Sequence, residues 1–279
     1  MIKIKHTRIK SHLAKYVRKI SVFECAHHME CKHRLIPSGC TYLSYNHKDI
    51  PTYFHQKKVK PSERLQITGP KTNPNIYVEY GDELLQILIE FTPAGFYYLF
   101  HDSPANYLNE LVNLSHFEHH GSIESLTSQL LATDNSEALI DIIQDYLFEI
   151  SVHALPFCNY IEEAVKVMEA NIGNILVKDI AKAINKSERQ FYRQFLKIVG
   201  VSPKEYSKLL QLHYAINLMN MKEISSIKEI SYSANFYDQS HFDHRFNELV
   251  GITPNEFLIS KEHNALKYFT DLVLTYESI

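Results

Sequence analysis

Apolar residues in the last third of the chain recur at spacings of four and three, the signature of one helix face, and they do so twice. Phe191, Phe195 and Ile198 form the first set, and Phe242, Phe246 and Leu249 form the second, 51 residues further on. The copies stay in register beyond the helix. Val199-Gly200-Val201-Ser202-Pro203 matches Val250-Gly251-Ile252-Thr253-Pro254, and Glu205-Tyr206 matches Glu256-Phe257, an internal repeat of twenty residues.

Each copy carries its own start and stop. Ser187 followed by Gln190 is a capping box, and Asp238 is an equally good N-cap. Gly200 and Gly251 suit a left-handed helix stop, and Pro203 and Pro254 suit the first turn of a following helix behind Ser202 and Thr253. A short amphipathic segment precedes each copy, at 177–184 and 227–234, with turns at Asn185-Lys186 and Asn235-Phe236-Tyr237 where Asn tolerates the left-handed conformation. Short helix, tight turn and capped second helix is the grammar of a helix-turn-helix. With one face of each capped helix apolar, the opposite face is open to a partner. It carries Arg189, Tyr192, Arg193 and Lys197 in the first copy and Gln239, Ser240, Asp243, His244 and Asn247 in the second. A helix over 204–219 is expected to connect the two units.

Ahead of the repeat the pattern is different. Residues 20–92 read as strands at 20–25, 41–46, 65–68, 76–79 and 84–91, separated by Gly, Pro, Asn and Asp turn signals. The last of these, LLQILIEF, is nearly continuous apolar, as a strand covered on both faces should be. Helical spacing then predicts helices at 104–113, 123–131 and 136–152. The third is apolar on one face and acidic on the other, so it packs on its own domain or pairs with a second subunit as a homodimer. Pro156 marks a boundary near 153–159. The expected fold is α+β: a β-rich domain with a helical end at 1–153, an all-α domain at 160–260 and an apolar tail at 261–279.

Charge sharpens this division more than composition does. At 279 residues, 45% apolar and 22% charged, the chain is ordinary for a folded protein. Yet residues 1–20 hold seven Lys or Arg and no acid, while 72–165 hold fifteen Asp or Glu and no Lys or Arg. The basic opening reads as a nucleic-acid arm, a solvated tail or an edge strand kept soluble by lysine. Residues 172–210 hold eight basic residues against three acids, whereas 211–260 hold three against six. The first unit is therefore placed to attract a polyanion and the second is not.

Other chemistries find little support. No apolar run approaches the ~18 to 20 residues of a membrane span, and no signal peptide opens the chain, so a cytoplasmic location without membrane partners is expected. Cys25, Cys31, Cys40 and Cys158 form no CxxC pair and are expected to be reduced. Cys25, His27, His28, Cys31 and His33, and separately His116, His119 and His120, cluster without zinc-ligand spacing, so no metal or other cofactor is expected. No nucleophile motif or phosphate-binding glycine loop suggests an enzyme.

Residues 160–260 resemble the DNA-binding domain of the AraC/XylS family of bacterial transcription regulators. The resemblance rests on Asp179-Ile180-Ala181, Ser187, Phe195, Gly200, Ser202-Pro203, Tyr206, Leu212, Ala215, Ile230, Phe236, Asp238-Gln239-Ser240-His241-Phe242, Phe246, Gly251, Thr253-Pro254 and Phe257. The chain departs from the family pattern at Gln211, Asn235, His244 and Asn247. Through LIPSGCTYLSYN at 35–46, ITGP at 67–70 and LIEFTPAGFYYLF at 88–100, residues 20–118 resemble β-rich sensor domains that precede such units, which implies a cupin-like half-barrel. The family resemblance implies double-stranded DNA as partner, with RNA polymerase and a small-molecule or protein effector at the N-terminal domain as further partners.

On this reading Ser187, Arg189, Gln190, Tyr192, Arg193, Lys197, Gln239, Ser240, Asp243 and His244 are the DNA-contact candidates. Arg189 and Arg193 lead them, one helical turn apart, because a guanidinium matches the paired acceptors of guanine. The rival reading is a protein-interaction module that has lost strong DNA binding, suggested by the acidic second unit.

Overall fold

The computed structural model describes residues 3–25, 32–55, 58–74, 76–120, 122–220 and 226–259. Among these residues the N-terminal half is built on ten strands: β1 (Lys3–Thr7), β2 (Val17–Cys25), β3 (Lys32–Arg34), β4 (Tyr42–Asn46), β5 (Thr52–His55), β6 (Lys58–Lys60), β7 (Leu65–Thr68), β8 (Ile76–Glu79), β9 (Leu84–Phe91) and, after helix α1 (Gly95–Phe100), β10 (Leu111–Asn113). One sheet has the order β1-β2-β9-β4-β7-β10 and the other β3-β8-β5-β6. Every pairing is antiparallel. The apolar strand β9 lies between β2 and β4, where seven of its eight residues are buried. Phe23, Cys25, Tyr53, Val78, Tyr80 and Leu84 form a small core drawn from both sheets.

The lysine-rich opening forms the outer strand of the larger sheet, the edge-strand reading of the three. β1 pairs along β2, and Lys5 reaches Glu137 at 3.2 Å. Charged side chains on an edge discourage further strand pairing. A helix at 104–113 does not form. Pro104–Tyr107 is a single 3-10 turn, Asn109 adopts a left-handed φ of 61°, and Leu111–Asn113 pairs with β7. Here pairing with a sheet edge outweighs a helical apolar spacing. The tail at 261–279 lies outside the described residues.

Helices dominate after β10. Among the described residues they are α2 (Ile123–Leu131), α3 (Ser136–Ser151), α4 (Asn159–Ala170), α5 (Val177–Ala183), α6 (Glu188–Val199), α7 (Pro203–Asn220), α8 (Ile227–Ser233), α9 (Gln239–Val250) and a short α10 (Pro254–Ile259). The apolar face of α3 is taken by its own domain, where Leu139, Ile143, Leu147 and Ile150 join the main core.

That core crosses the 153–159 linker without a break. Sheet residues such as Ile20, Ile67 and Ile89 belong to the same buried cluster as Ile161 and Met168 of α4, Ile180 of α5 and Phe191, Phe195 and Ile198 of α6. A second cluster, with Leu212, Ile216, Ile230, Phe242, Phe246 and Phe257, holds α8, α9 and α10 against the far half of α7. The seam between the two cores therefore runs inside α7, where Leu210 belongs to the first and Leu209 and Leu212 to the second.

Polar contacts reinforce the first core at the junction. Arg18 of β2 lies 2.5 Å from Glu169 of α4 and 3.7 Å from the fully buried Glu90 of β9. Burial lifts the Glu90 carboxyl to about 7, against the opposing pull of Arg18. Cys40 donates its thiol to Glu90 at 3.5 Å, and burial raises that thiol well above its usual range. On α7, Tyr206 packs so closely on Gly39 that a Cβ there would meet its ring at 2.9 Å.

Candidate nucleic-acid interface

Both helix-turn-helix units are built by the local rules their sequences announce. In the first, Asn185 turns the chain with φ 53° between α5 and α6, and in the second Asn235 does so with φ 60° between α8 and α9. Ser187 caps α6 by accepting from the Gln190 amide at 3.3 Å, while the Gln190 side chain accepts from the Ser187 amide at 3.3 Å. Asp238 caps α9, accepting from the His241 amide at 2.7 Å. Gly200 and Gly251 end the two helices at φ 92° and 81°, a conformation that L side chains rarely adopt. Ser202 and Thr253 then cap α7 and α10 through the amides of Glu205 and Glu256.

With Phe191, Phe195 and Ile198 buried, α6 turns Arg189, Gln190, Tyr192 and Arg193 to solvent. Among the described residues neither arginine makes an ion pair or a side-chain hydrogen bond. Ser187 and Gln190 sit at the start of this face with their side chains engaged in the capping box. Lys197 stands apart at the far end of the helix, its ammonium 5.5 Å from the Tyr97 ring of the N-terminal domain. Thus Arg189, Tyr192 and Arg193 share one exposed surface, and Lys197 leans toward the sheet domain.

On α9, Ser240, His244 and Asn247 are exposed, and Gln239 and Asp243 are half-buried. One carboxylate oxygen of Asp243 is sheltered from water and has no hydrogen-bond partner among the described residues. A sheltered acceptor of this kind is costly unless a donor reaches it. The remaining cation of α9, Arg245, is tied to Glu248 at 2.5 Å.

A basic set that the outer-face pattern missed lies between the units. Lys204, Ser207, Lys208 and Gln211 of α7 face His241 and Arg245 of α9 across a cavity of about 210 Å3 with Leu212 and Phe242 in its lining. Lys208 pairs with Glu205 at 3.2 Å, while Lys204 is exposed. The spacing of 204, 208 and 211 is a helical stripe, so a signal exists in the sequence of α7. On a connecting helix such a stripe looks like any solvated face until α9 is seen to lie opposite it.

Of the histidine and cysteine clusters, Cys25, His33 and His116 lie among the described residues. His27, His28 and Cys31, and the side chains of His119 and His120, lie outside the described residues. Among the described residues Cys40 and Cys158 are free thiols, and no helix is long and apolar enough to cross a membrane.

Similarity to known proteins falls on the same part of the chain. The family model described as "Helix-turn-helix domain" matches residues 180–259. The Msm operon regulatory protein of Streptococcus mutans is 31% identical over 106 residues, 38% of this chain and 38% of that protein. The lactose operon transcription activator of Staphylococcus xylosus is 27% identical over 143 residues, 47% of this chain and 50% of that protein. The chain thus spans half or less of the length of the curated relatives it matches. A solved transcriptional regulator from Chromobacterium violaceum, described as AraC-type and DNA-binding-domain-containing, is 31% identical over 37% of this chain and 95% of its own, with a TM-score of 0.33. Two capped recognition helices, two asparagine turns and one connecting helix make the C-terminal part of this chain a helix-turn-helix domain of the AraC type.

Proposed function

We infer that the chain is a sequence-specific DNA-binding transcription regulator of the cytoplasm that reads two successive major grooves, with α6 as the stronger reader. The observation that carries this reading is the exposed pair Arg189 and Arg193 on a capped recognition helix, neither of them paired within the described residues. Two guanidinium groups one turn apart suit guanine edges, and Tyr192 beside them suits a base or sugar contact. The second helix contributes orientation and a distinct base preference. A carboxylate at Asp243 suits the amino group of cytosine. Lys204, Lys208 and Arg245 line the ground between the readers, where the phosphate backbone passes from one groove to the next.

The N-terminal domain is the controlling half on this reading. Because its core runs on into α6, any effector that shifts the sheet acts on the first reader directly. The two readers need centres about 34 to 36 Å apart along the duplex. Where α7 holds a different angle, the DNA bends to meet them.

The test is a mobility shift of the full chain on the DNA upstream of its own coding region and on a random-sequence pool, repeated over a salt series. Tight binding that weakens steeply with salt and is lost in Arg193→Ala supports the regulator. Absence of binding to both DNAs at low salt, with the chain folded, would leave the interaction-module reading standing instead.

A further inference from the structure

Both recognition helices end on the N-terminal domain. The carbonyl of Lys197, in the last turn of α6, accepts from the Ser103 hydroxyl at 2.8 Å. The carbonyl of Val250, the last residue of α9, accepts from the Arg34 guanidinium at 2.8 Å. These are the carbonyls a helix leaves without an internal partner, and a cation at that end also meets the negative pole of the helix dipole.

The two attachments differ in kind. α6 is fused to the sheet domain through the main core, and a Cβ at Gly200 would meet Pro70 and Pro104 at 2.9 Å. α9 belongs to the second core, beyond the seam in α7. Among the described residues, one run of the N-terminal domain reaches across to that second unit with both polar and apolar contacts. Arg34 holds Val250, the Pro37 carbonyl accepts from His213 Nε2 of α7 at 2.6 Å, and Ile36 packs on the edge of the second core. Arg34 is 7% exposed, and its guanidinium stands 4.8 Å from the Tyr77 ring of β8, so it is anchored in the sheet as well as on the helix. His213 is 3% exposed, and burial lowers it to about 4, which keeps the ring neutral with its one proton directed at Pro37.

We propose that residues 34–37 are a gauge that fixes the second recognition helix relative to the first, with Arg34 as the positioning residue. The consequence for DNA rests on the regulator reading given above; the gauge itself does not. A chain with this run intact holds one separation and one angle between its readers, and so accepts one spacing between the two parts of its site. Loosening the run frees the second reader to pivot about the seam in α7 while leaving the contact surface of both helices unchanged.

The experiment uses the full chain with nitroxide labels on non-native side chains at Lys182 of α5 and Lys228 of α8, both exposed and outside the proposed DNA surface. Distances are read by double electron-electron resonance in the parent chain, in Arg34→Met, which keeps the apolar stem, and in His213→Leu. The parent gives one narrow distribution, and each variant widens or shifts it while circular dichroism stays unchanged. Parent-like distributions in both folded variants overturn the gauge. Should Arg34→Met fail to fold, His213→Leu decides alone, and His213→Gln, which keeps a donor, is expected to restore the narrow distribution.

Selection from a random-sequence pool then tests the link to DNA. The parent enriches two boxes at one spacing, and Arg34→Met enriches the same boxes with that single spacing lost. A single spacing retained by Arg34→Met overturns the role in reading. No enrichment by the parent, together with widened distances in the variants, supports the gauge and removes the regulator reading.

Discussion

Tyr206 donates its hydroxyl to Glu169 at 2.8 Å, on the same carboxylate oxygen that Arg18 reaches at 2.5 Å. One oxygen thereby joins the connecting helix α7, the first helix of the DNA-binding half and the central sheet. The Tyr206 ring also packs edge-on against Phe195, with centroids 5.6 Å apart. Tyr206→Phe keeps the ring and removes one hydrogen bond, so a loss of about 1 kcal/mol is expected. Urea denaturation of the full chain measures it, and an unchanged midpoint would mean that the bond adds nothing to the junction.

Arg193→Ala is expected to weaken DNA binding more than His244→Ala. A good guanidinium contact to a base contributes about 1 to 3 kcal/mol of discrimination, and Arg193 is exposed and unpaired among the described residues. His244 shares its face with the carboxylate of Asp243. Fluorescence anisotropy on a selected site compares them, and equal losses would refute the ranking of the two units.

Lys204→Ala should act on every sequence alike. It removes an exposed charge beside the basic cavity between α7 and α9 without touching either recognition face. The expected result is a uniform fall in affinity and a salt slope reduced by about 1. A change in base preference in this variant would move Lys204 from the backbone-contact set to the reading set.

Stability should carry two opposed pH dependences. Glu90, lifted to about 7 by burial, contributes stability that is full below the ordinary carboxyl range and is lost as pH rises through about 7. His213, lowered to about 4 by burial, contributes stability that is full above the ordinary imidazole range and is lost as pH falls through about 4. A tenfold change in proton affinity on folding corresponds to ~1.4 kcal/mol, so each group contributes up to about 3 kcal/mol. The two slopes have opposite signs over the pH range they share. Relative to the parent chain, Glu90→Gln should make stability rise more steeply with pH, and His213→Leu should make it fall. Chemical denaturation at several pH values reads both, and two variants with parallel profiles would contradict the assignment.

Much of the DNA-binding half was legible because its rules are local. Ser187 with Gln190, Asn185 and Asn235, and Gly200 and Gly251 each act on neighbours within a few residues, and each takes the conformation that its type favours. The strands at 65–68, 76–79 and 84–91 were equally plain, being bounded by turns and filled with apolar residues. The rest depended on distant partners. Leu111–Asn113 has a helical spacing and becomes a strand only because β7 offers an open edge. β3 and β6 are three residues long and carry no apolar pattern to announce them. The continuity of the core from Ile89 to Phe195, and the reach of Arg34 to Val250, join residues 106 and 216 positions apart. No periodicity encodes such a pairing.

The seam inside α7 also bears on how such a chain changes over generations. A substitution around Phe242 or Phe257 disturbs a core whose buried members all lie from Leu209 onward, and distant sites with no shared partners affect stability independently. Apart from its ties to residues 34–37, α9 shares little with the sheet, so its outer face is free to drift toward new sequences. The first reader has no such freedom, since Phe191 and Phe195 rest on the residues that hold the N-terminal domain together. Divergence among descendants should gather in α9 and its surroundings, with α6 inherited together with the sheet.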